Sequence, residues 1–328
     1  MSTSKIYKEL QYKEIESIMK NTFDKSTVLK SYRKPDTGNF NTTYLIEIKN
    51  PDRKLILRVA PVNPELLMNL EKGMMKSEPV ICQMIANAGV PVAKVLKFDE
   101  SHTIVDRDYI IIEYIDSITL ASPEFPQEYR PGILHELGEY TRKIHSIKAD
   151  GFGRINPGGG VKSYYSSWYD ILWELVEEFC DKASNYNLLD EKSIRIFNNF
   201  FIENKDVFFI NESKYAEYGP RLTHNDLWAP NILVSNNSGE WEIAAIIDAD
   251  RALYADREYE FALWRADPSF MDGYGIPLDM SESGKLKRHG YSLILGFMNL
   301  YAGKVEFDND EFFENDKKGL LKLLRNEN

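Results

Sequence analysis

Residues 221–262 read RLTHNDLWAPNILVSNNSGEWEIAAIIDADRALYADREYEFA and gather more acid, amide and histidine side chains at strand ends than any other part of the chain. The core of the stretch is His224-Asn225-Asp226, followed by Asn231 and, after an apolar hairpin, Asp248. Mg²⁺ prefers hard oxygen ligands, one or two carboxylates or amides completed by phosphate oxygens and water, and Asn231 with Asp248 match the protein's share of such a set. Asp226 is then left free of metal. A carboxylate in that position can orient a substrate hydroxyl and accept its proton as phosphate is transferred.

The intervening residues explain how distant side chains meet. Ile232 to Ser235 and Trp241 to Ile247 are β-rich runs joined by Asn236-Asn237-Ser238-Gly239, the composition of a tight turn. Antiparallel strands return the chain to its start, so Asn231 and Asp248 are expected side by side at the open end of a hairpin.

The 328 residues suffice for two lobes, each with its own core. A hydrophobic share of 43% and a charged share of 28% are the usual soluble mixture and argue against extended disorder. The net charge of −11 argues against a nucleic-acid partner, because a phosphate backbone requires a basic face to displace counterions. An acidic surface suits a cationic ligand and also serves solubility. Cys82 and Cys180 imply neither a disulfide framework nor a zinc site and fit a reducing compartment. The opening MSTSKIYKELQYKEI lacks an apolar signal core, and no apolar run approaches the roughly 18 residues of a membrane span. The expectation is a cytoplasmic protein with no membrane partner.

His-x-Asp-x4-Asn, then a hairpin and Ile-Asp, resembles the catalytic pattern of the protein-kinase-like fold. Its form here, HNDLWAPNILV (224–234), is similar to aminoglycoside phosphotransferases and their small-molecule kinase relatives, and HNDLW also looks like fructosamine kinases. Protein kinases match less well: Asp248 is followed by Ala249-Asp250 instead of Phe-Gly, no Ala-Pro-Glu follows, and Trp228 stands where serine/threonine kinases carry lysine. The resemblance implies a two-lobed α+β fold, with a small antiparallel sheet lobe for the nucleotide over 1–113 and a helical lobe with the catalytic loop and substrate site over 114–328. It implies ATP, with GTP left open, Mg²⁺, and a small-molecule acceptor. Asp226 would be the catalytic base, Asn231 and Asp248 the metal ligands, and His224 a brace whose imidazole holds backbone near Asp248. A fructosamine- or choline-type kinase and a catalytically silent nucleotide-binding protein are the alternatives.

The rest of the chain falls into the order such a fold requires. A short amphipathic helix is expected within Tyr7–Asn21, then strands over Val28–Arg33 and Thr42–Lys49 around the turn Pro35–Asn39. By resemblance that turn covers the ATP phosphates, with the backbone amides of Asn39, Phe40 and Asn41 as donors. The strand Lys54–Ala60 places Arg58 where kinases carry the lysine that holds the α- and β-phosphates; arginine keeps the charge but brings a wider planar fork. Glu78, directly before Pro79, opens the next helix and is either the partner of Arg58 or a capping carboxylate. Tyr109–Ile115 is an apolar strand that resembles the kinase hinge, which would present the Glu113 carbonyl and the Ile115 amide to adenine.

Beyond the hinge, Pro131–Ile147 repeats its apolar residues at helical spacing, with His145 a packed histidine. GFGRINPGGG reads as a surface loop, since no helix-borne Lys-Ser follows it. Tyr164, Tyr165 and Trp168, at the start of an aromatic amphipathic helix, are candidates for core or for substrate contact. Asp256 is placed to cap a helix running to Trp264, and Glu260 to stabilise the catalytic loop. Asp250, Asp256 and Glu258 cap helices, pair with Arg251 and Arg257, or set up a negative field that draws in a cationic acceptor.

Overall fold

A computed structural model describes residues 4–35, 40–162, 164–210, 213, 219–237, 239–262 and 267–325. The first lobe is a five-stranded antiparallel sheet built from β1 (Val28–Arg33), β2 (Thr42–Lys49), β3 (Arg53–Val59), β4 (Val95–Asp99) and β5 (Tyr109–Glu113), in the order β1-β2-β3-β5-β4. Strand β2 alternates strictly, so Tyr44, Ile46 and Ile48 fall on one face. That face packs on Ile15, Ile18 and Met19 of helix α1 (Tyr12–Thr22), whose apolar residues share a stripe at helical spacing. Strand β5 is apolar from Tyr109 to Ile112 because both of its faces are covered: Tyr109 and Ile111 join the α1 side, while Ile110 and Ile112 pack with Met75, Ala93, Ile115 and Ile247.

Helix α2 (Glu78–Asn87) starts at Glu78 with Pro79 in its first turn, where the missing amide proton costs nothing. The expected hinge strand stops at Glu113, and Ile115 lies in the connection beyond it. The second lobe is mainly helical. Helix α3 (Arg130–Ile144) crosses the helix Pro268–Tyr274 closely enough that only glycine fits at the contact. A Cβ on Gly138 would stand 2.1 Å from the Phe270 carbonyl oxygen, and one on Gly273 would stand 1.9 Å from that of His135. Helix α4 (Trp168–Asn185), helix α5 (Glu191–Glu203) and the helix Glu282–Tyr301 enclose an aromatic core that includes Phe179, Phe197 and Phe297.

Two small sheets carry the stretch from Arg221 to Ala255. One runs β10 (Glu242–Ile246), β9 (Ile232–Ser235), β6 (Ile118–Thr119); the other runs β7 (Gly153–Arg154), β11 (Leu253–Ala255), β8 (Arg221–Thr223). The helix expected from Asp256 is a kinked 3-10 segment, Arg257–Ala262, although Asp256 does cap it: its Oδ1 accepts from the Glu258 amide at 3.1 Å. Trp168 is fully buried and donates through Nε1 to Tyr291 Oη, so it is core and not a substrate contact. Among the described residues no helix is long and apolar enough to cross a membrane.

Candidate active site

The hairpin brings its two ends together as the turn composition predicts. Ile232 pairs with Ile246, and the Ile247 amide donates to the Asn231 carbonyl at 3.0 Å, which puts Asn231 next to the strand that delivers Asp248. Asn231 Nδ2 donates to both Asp226 Oδ2, at 2.8 Å, and the Asp226 carbonyl, at 3.0 Å. The amide nitrogen is thus spent on fixing Asp226, which leaves the harder Oδ1 as the atom available to a cation. Asn225 and Asp248 both have φ near +61°, a left-handed conformation that Asn and Asp tolerate better than other side chains. These two turns aim the loop and the hairpin end at one another.

Glu260 fixes the loop from behind. Its carboxylate accepts from the His224 amide at 2.5 Å and from the Asn225 amide at 2.9 Å. The His224 ring is fully buried, its Nδ1 accepts from the Asp226 amide at 3.3 Å, and burial keeps it neutral by lowering its pKa against the pull of Glu260 and the Ile247 backbone.

Arg58 is the hinge of the site's electrostatics. It is 5% exposed, bonds Glu78 through Nη1, and lies 3.0 Å from Asp248 Oδ1 and 2.9 Å from Asp250 Oδ2. Burial alone would lower its pKa, but the three surrounding carboxylates outweigh that and raise it, so the guanidinium stays charged. Three acids share one cation, and burial pushes the Glu78 and Asp248 carboxyls upward, with Asp250 adding to both and Arg58 opposing. About a third of the Asp248 side chain still meets solvent, so its charge remains accessible to an incoming cation in a way that Glu78, at 1% exposure, is not. Glu78 is therefore the partner of Arg58 as well as the first residue of its helix. Burial likewise pushes Asp226 up to about 7, with Asp248 and Asp250 adding to the effect and Arg251 and Asn231 opposing it.

The glycine-turn residues reach the same cluster. Asn41 donates through Nδ2 to Asp250 at 3.3 Å, and the Phe40 ring lies under the Arg251 guanidinium at 5.7 Å; Asn39 lies outside the described residues. At the hinge, Glu113 exchanges bonds with the Lys94 main chain: its amide donates to Lys94 O at 3.0 Å and its carboxylate accepts from the Lys94 amide at 2.8 Å. Ile115 and Ile247, the residue before Asp248, pack against the same cluster of Ile110 and Ile112, so the expected hinge and the hairpin share an apolar cluster.

Of the three roles open to Asp250, Asp256 and Glu258, namely capping, pairing with Arg251 and Arg257, or a negative field, the structure shows a cap at Asp256 and pairing with other cations. Asp250 shares Arg58 with Glu78 and Asp248 and accepts from Asn41, whereas Asp256 has Lys287 at 2.7 Å and Tyr291 at 2.6 Å, and Glu258 has Arg288 at 2.8 Å. All three are buried, and their main partners are not Arg251 and Arg257. Arg251 instead pairs with Glu71 at 2.9 Å, a contact with no local signal because the two residues are 180 positions apart in the chain. Tyr164 is exposed with its hydroxyl on the Asp150 carbonyl, and Tyr165 bonds Glu174.

The family model described as the phosphotransferase enzyme family, APH, matches residues 31–276, a span that runs from β1 past the His224–Asn231 loop. The chain belongs to this family. Solved structures agree on the protein-kinase-like fold of family members at low sequence identity. Aminoglycoside phosphotransferase APH(4)-Ia, in a ternary complex with ADP and hygromycin B, superposes with a TM-score of 0.66 at 18% identity, covering 95% of this chain and 98% of that one. A protein described as a fructosamine-3-kinase from Haemophilus somnus gives 0.64 at 14%, covering 96% and 97%. An aminoglycoside 2'-phosphotransferase in its GDP complex gives 0.64 at 14%, covering 96% and 98%. A curated relative, acyl-CoA dehydrogenase family member 10 of Mus musculus, is 32% identical over 127 residues. That match takes in 36% of this phosphotransferase-family chain and spans 11% of the relative's length.

Proposed function

We propose that the protein transfers the γ-phosphate of ATP, with Mg²⁺, to a hydroxyl of a small cationic molecule. The observation that carries the reading is the Asn231–Asp226 bond at 2.8 Å beside Asp248, which combines a positioned carboxylate with two oxygen donors on one hairpin. The donors fit the metal: Asn231 Oδ1 and the solvent-facing part of Asp248 are hard oxygens, and phosphate and water would complete the set. When bound, Mg²⁺ neutralises charge on the phosphates. Asp226 orients the acceptor hydroxyl and takes its proton as that oxygen bonds to phosphorus and the bond to the β-phosphate oxygen breaks. Arg58, Phe40 and Asn41 steady the phosphates, with Asn39 assigned to the same loop. The Glu113 carbonyl and Ile115 amide meet the base, and the division of labour follows the 113/114 boundary. Most of the rate then comes from positioning and charge neutralisation, since a loose transition state leaves little covalent work to side chains.

The cationic acceptor is supported by two features other than the buried acids. Trp228, two residues past Asp226, is half exposed and offers an aromatic face to an ammonium group. Glu174, Glu177, Glu178 and Asp181 of α4 line an open cavity of about 760 Å³, where these four acids outnumber the two bases, Lys72 and Lys182. The complexes of structural neighbours with ADP and with GDP support a nucleotide donor and keep ATP and GTP both open. The test is nucleotide consumption against aminoglycosides, ketoamines, choline, neutral polyols and a peptide pool. Turnover of a cationic acceptor with a KM that rises with ionic strength is the expected result. Turnover confined to neutral polyols and independent of salt would overturn the cationic acceptor, and absence of nucleotide binding would overturn the kinase reading itself.

A further inference from the structure

The close crossing of α3 and the Pro268–Tyr274 helix ends in a cavity of about 480 Å³, within the range of small-ligand sites. Arg142, Arg221, Arg257, His145, Tyr274 and Asp279 are among the residues that line it. Three arginines therefore line one concavity whose lining includes a single carboxylate, in a chain whose overall charge is −11. That carboxylate is already engaged, since Asp279 Oδ1 accepts from the Ser281 amide at 2.9 Å. Among the described residues neither Arg142 nor Arg221 is paired with a carboxylate. Arg257 donates to the Pro277 carbonyl at 2.8 Å and lies 3.6 Å from Glu258, whose own charge is matched by Arg288 at 2.8 Å. Gathered like charges repel one another, and an anion in the cavity relieves that repulsion. Planar guanidinium forks suit phosphate and carboxylate oxygens in particular.

The cavity wall is also connected to the catalytic loop. His145, 2% exposed, bonds Tyr274 Oη through Nδ1 at 2.9 Å, and its carbonyl accepts from Arg221 at 3.2 Å. Its buried Nε2 has no hydrogen bond and lies 3.5 Å from Glu260 Oε2, the carboxylate that holds the His224 and Asn225 amides. An anion that draws Arg221 and Arg257 inward acts on Tyr274 and His145, and through them on Glu260.

We propose that this cavity binds a small polyanion, a phosphate ester or a polycarboxylate, and that its occupancy is transmitted through His145 and Glu260 to the catalytic loop. The site does not depend on the phosphotransfer reading, and its failure leaves that reading intact. The test is calorimetry on the full chain with inorganic pyrophosphate and, separately, citrate, comparing the parent with Arg142→Gln and Arg221→Gln. Arg142 is exposed at the end of α3, so its replacement leaves the core undisturbed. The expected result is binding of at least one ion, weakened about tenfold in each variant, as the loss of a charge-assisted contact predicts. Pyrophosphate alone identifies the phosphate class, and citrate alone the carboxylate class. Equal affinity in parent and variants, including pyrophosphate that binds all three alike in the nucleotide cleft, or no binding of either ion, overturns the site. Hydrogen exchange at the His224 and Asn225 amides reads the connection: a several-fold change on adding the ion is expected, and unchanged exchange at saturation overturns the transmission.

Discussion

Arg58 Nη1 lies 3.0 Å from Asp248 Oδ1, so one buried cation on a strand of the sheet lobe is tied to the residue that ends the hairpin of the helical lobe. The same guanidinium reaches Glu78 on α2 and Asp250 just beyond the hairpin. A fork with several donors can serve three acids at once, which a lysine ammonium does less well. The arginine in this strand is therefore built into the junction between the lobes.

Removing that cation leaves Glu78, Asp248 and Asp250 mutually repelling in a poorly solvated cluster. Arg58→Ala is expected to lower stability by about 3–5 kcal/mol, the cost of breaking a buried ion pair from one side. Arg58→Lys is expected to recover only part of it. Urea denaturation of the three proteins measures both, and an alanine variant as stable as the parent would remove Arg58 from this role.

Asp226→Asn keeps the side-chain oxygen that accepts from Asn231 but loses the capacity to take a proton. The expected outcome is unchanged nucleotide affinity with kcat lowered by a factor on the order of 10² to 10⁴. Single-turnover kinetics together with nucleotide titration separate the two quantities. Turnover near the parent level would place the base elsewhere.

Asp248 stands at φ 61°, so asparagine is the substitution that removes its charge without straining the backbone. Asp248→Asn is expected to abolish the tightening of nucleotide binding by Mg²⁺ while leaving the fold intact, because a two-ligand site depends on its one carboxylate. Titration of a non-hydrolysable nucleotide with and without the metal tests this. A preserved metal effect excludes Asp248 as a ligand.

Glu306 is fully buried, and burial together with the neighbouring Glu71 charge holds its pKa well above the ordinary carboxylate range. Between the unfolded value of about 4.3 and the raised folded one, the unfolded chain has released a proton that the folded chain retains. The contribution to stability is therefore greatest below the unfolded value and declines as pH rises through that window. Glu306→Gln removes the ionisation, so its stability relative to the parent should improve as pH goes from acid to neutral. Melting temperatures of both proteins across that range decide it; a difference that does not vary with pH would contradict the assignment.

Much of this architecture was legible in the residues themselves. The alternation in Thr42–Lys49 and the apolar run at Tyr109 gave strands at those places, and Val28–Arg33 and Thr42–Lys49 match the expected boundaries. The turn composition after Ser235 was enough to bring Asn231 alongside the strand leading to Asp248, because a hairpin is a local object whose geometry follows from turn chemistry and pleat. Pro79 marked a helix start or a break at Glu78, and the structure has the start. The segment from Asp256 failed as a regular helix because its acids are drawn to Lys287, Arg288 and Tyr291 on a distant helix, and those contacts override helical preference.

The sequence by itself determined which residue types were present for phosphate chemistry and which lay at the ends of a hairpin. Tertiary structure alone decided which charges met: that Arg58 serves Glu78, Asp248 and Asp250 together, that Asp256 and Glu258 are matched by Lys287 and Arg288, that Arg251 finds Glu71, and that Arg142, Arg221 and Arg257 line one cavity. The reason is physical. Strand and turn preferences act over a few residues and can be read from spacing. The energy of a charge depends on how far packing removes it from water and on which opposite charge packing brings within reach, and both are set by segments far apart in the chain.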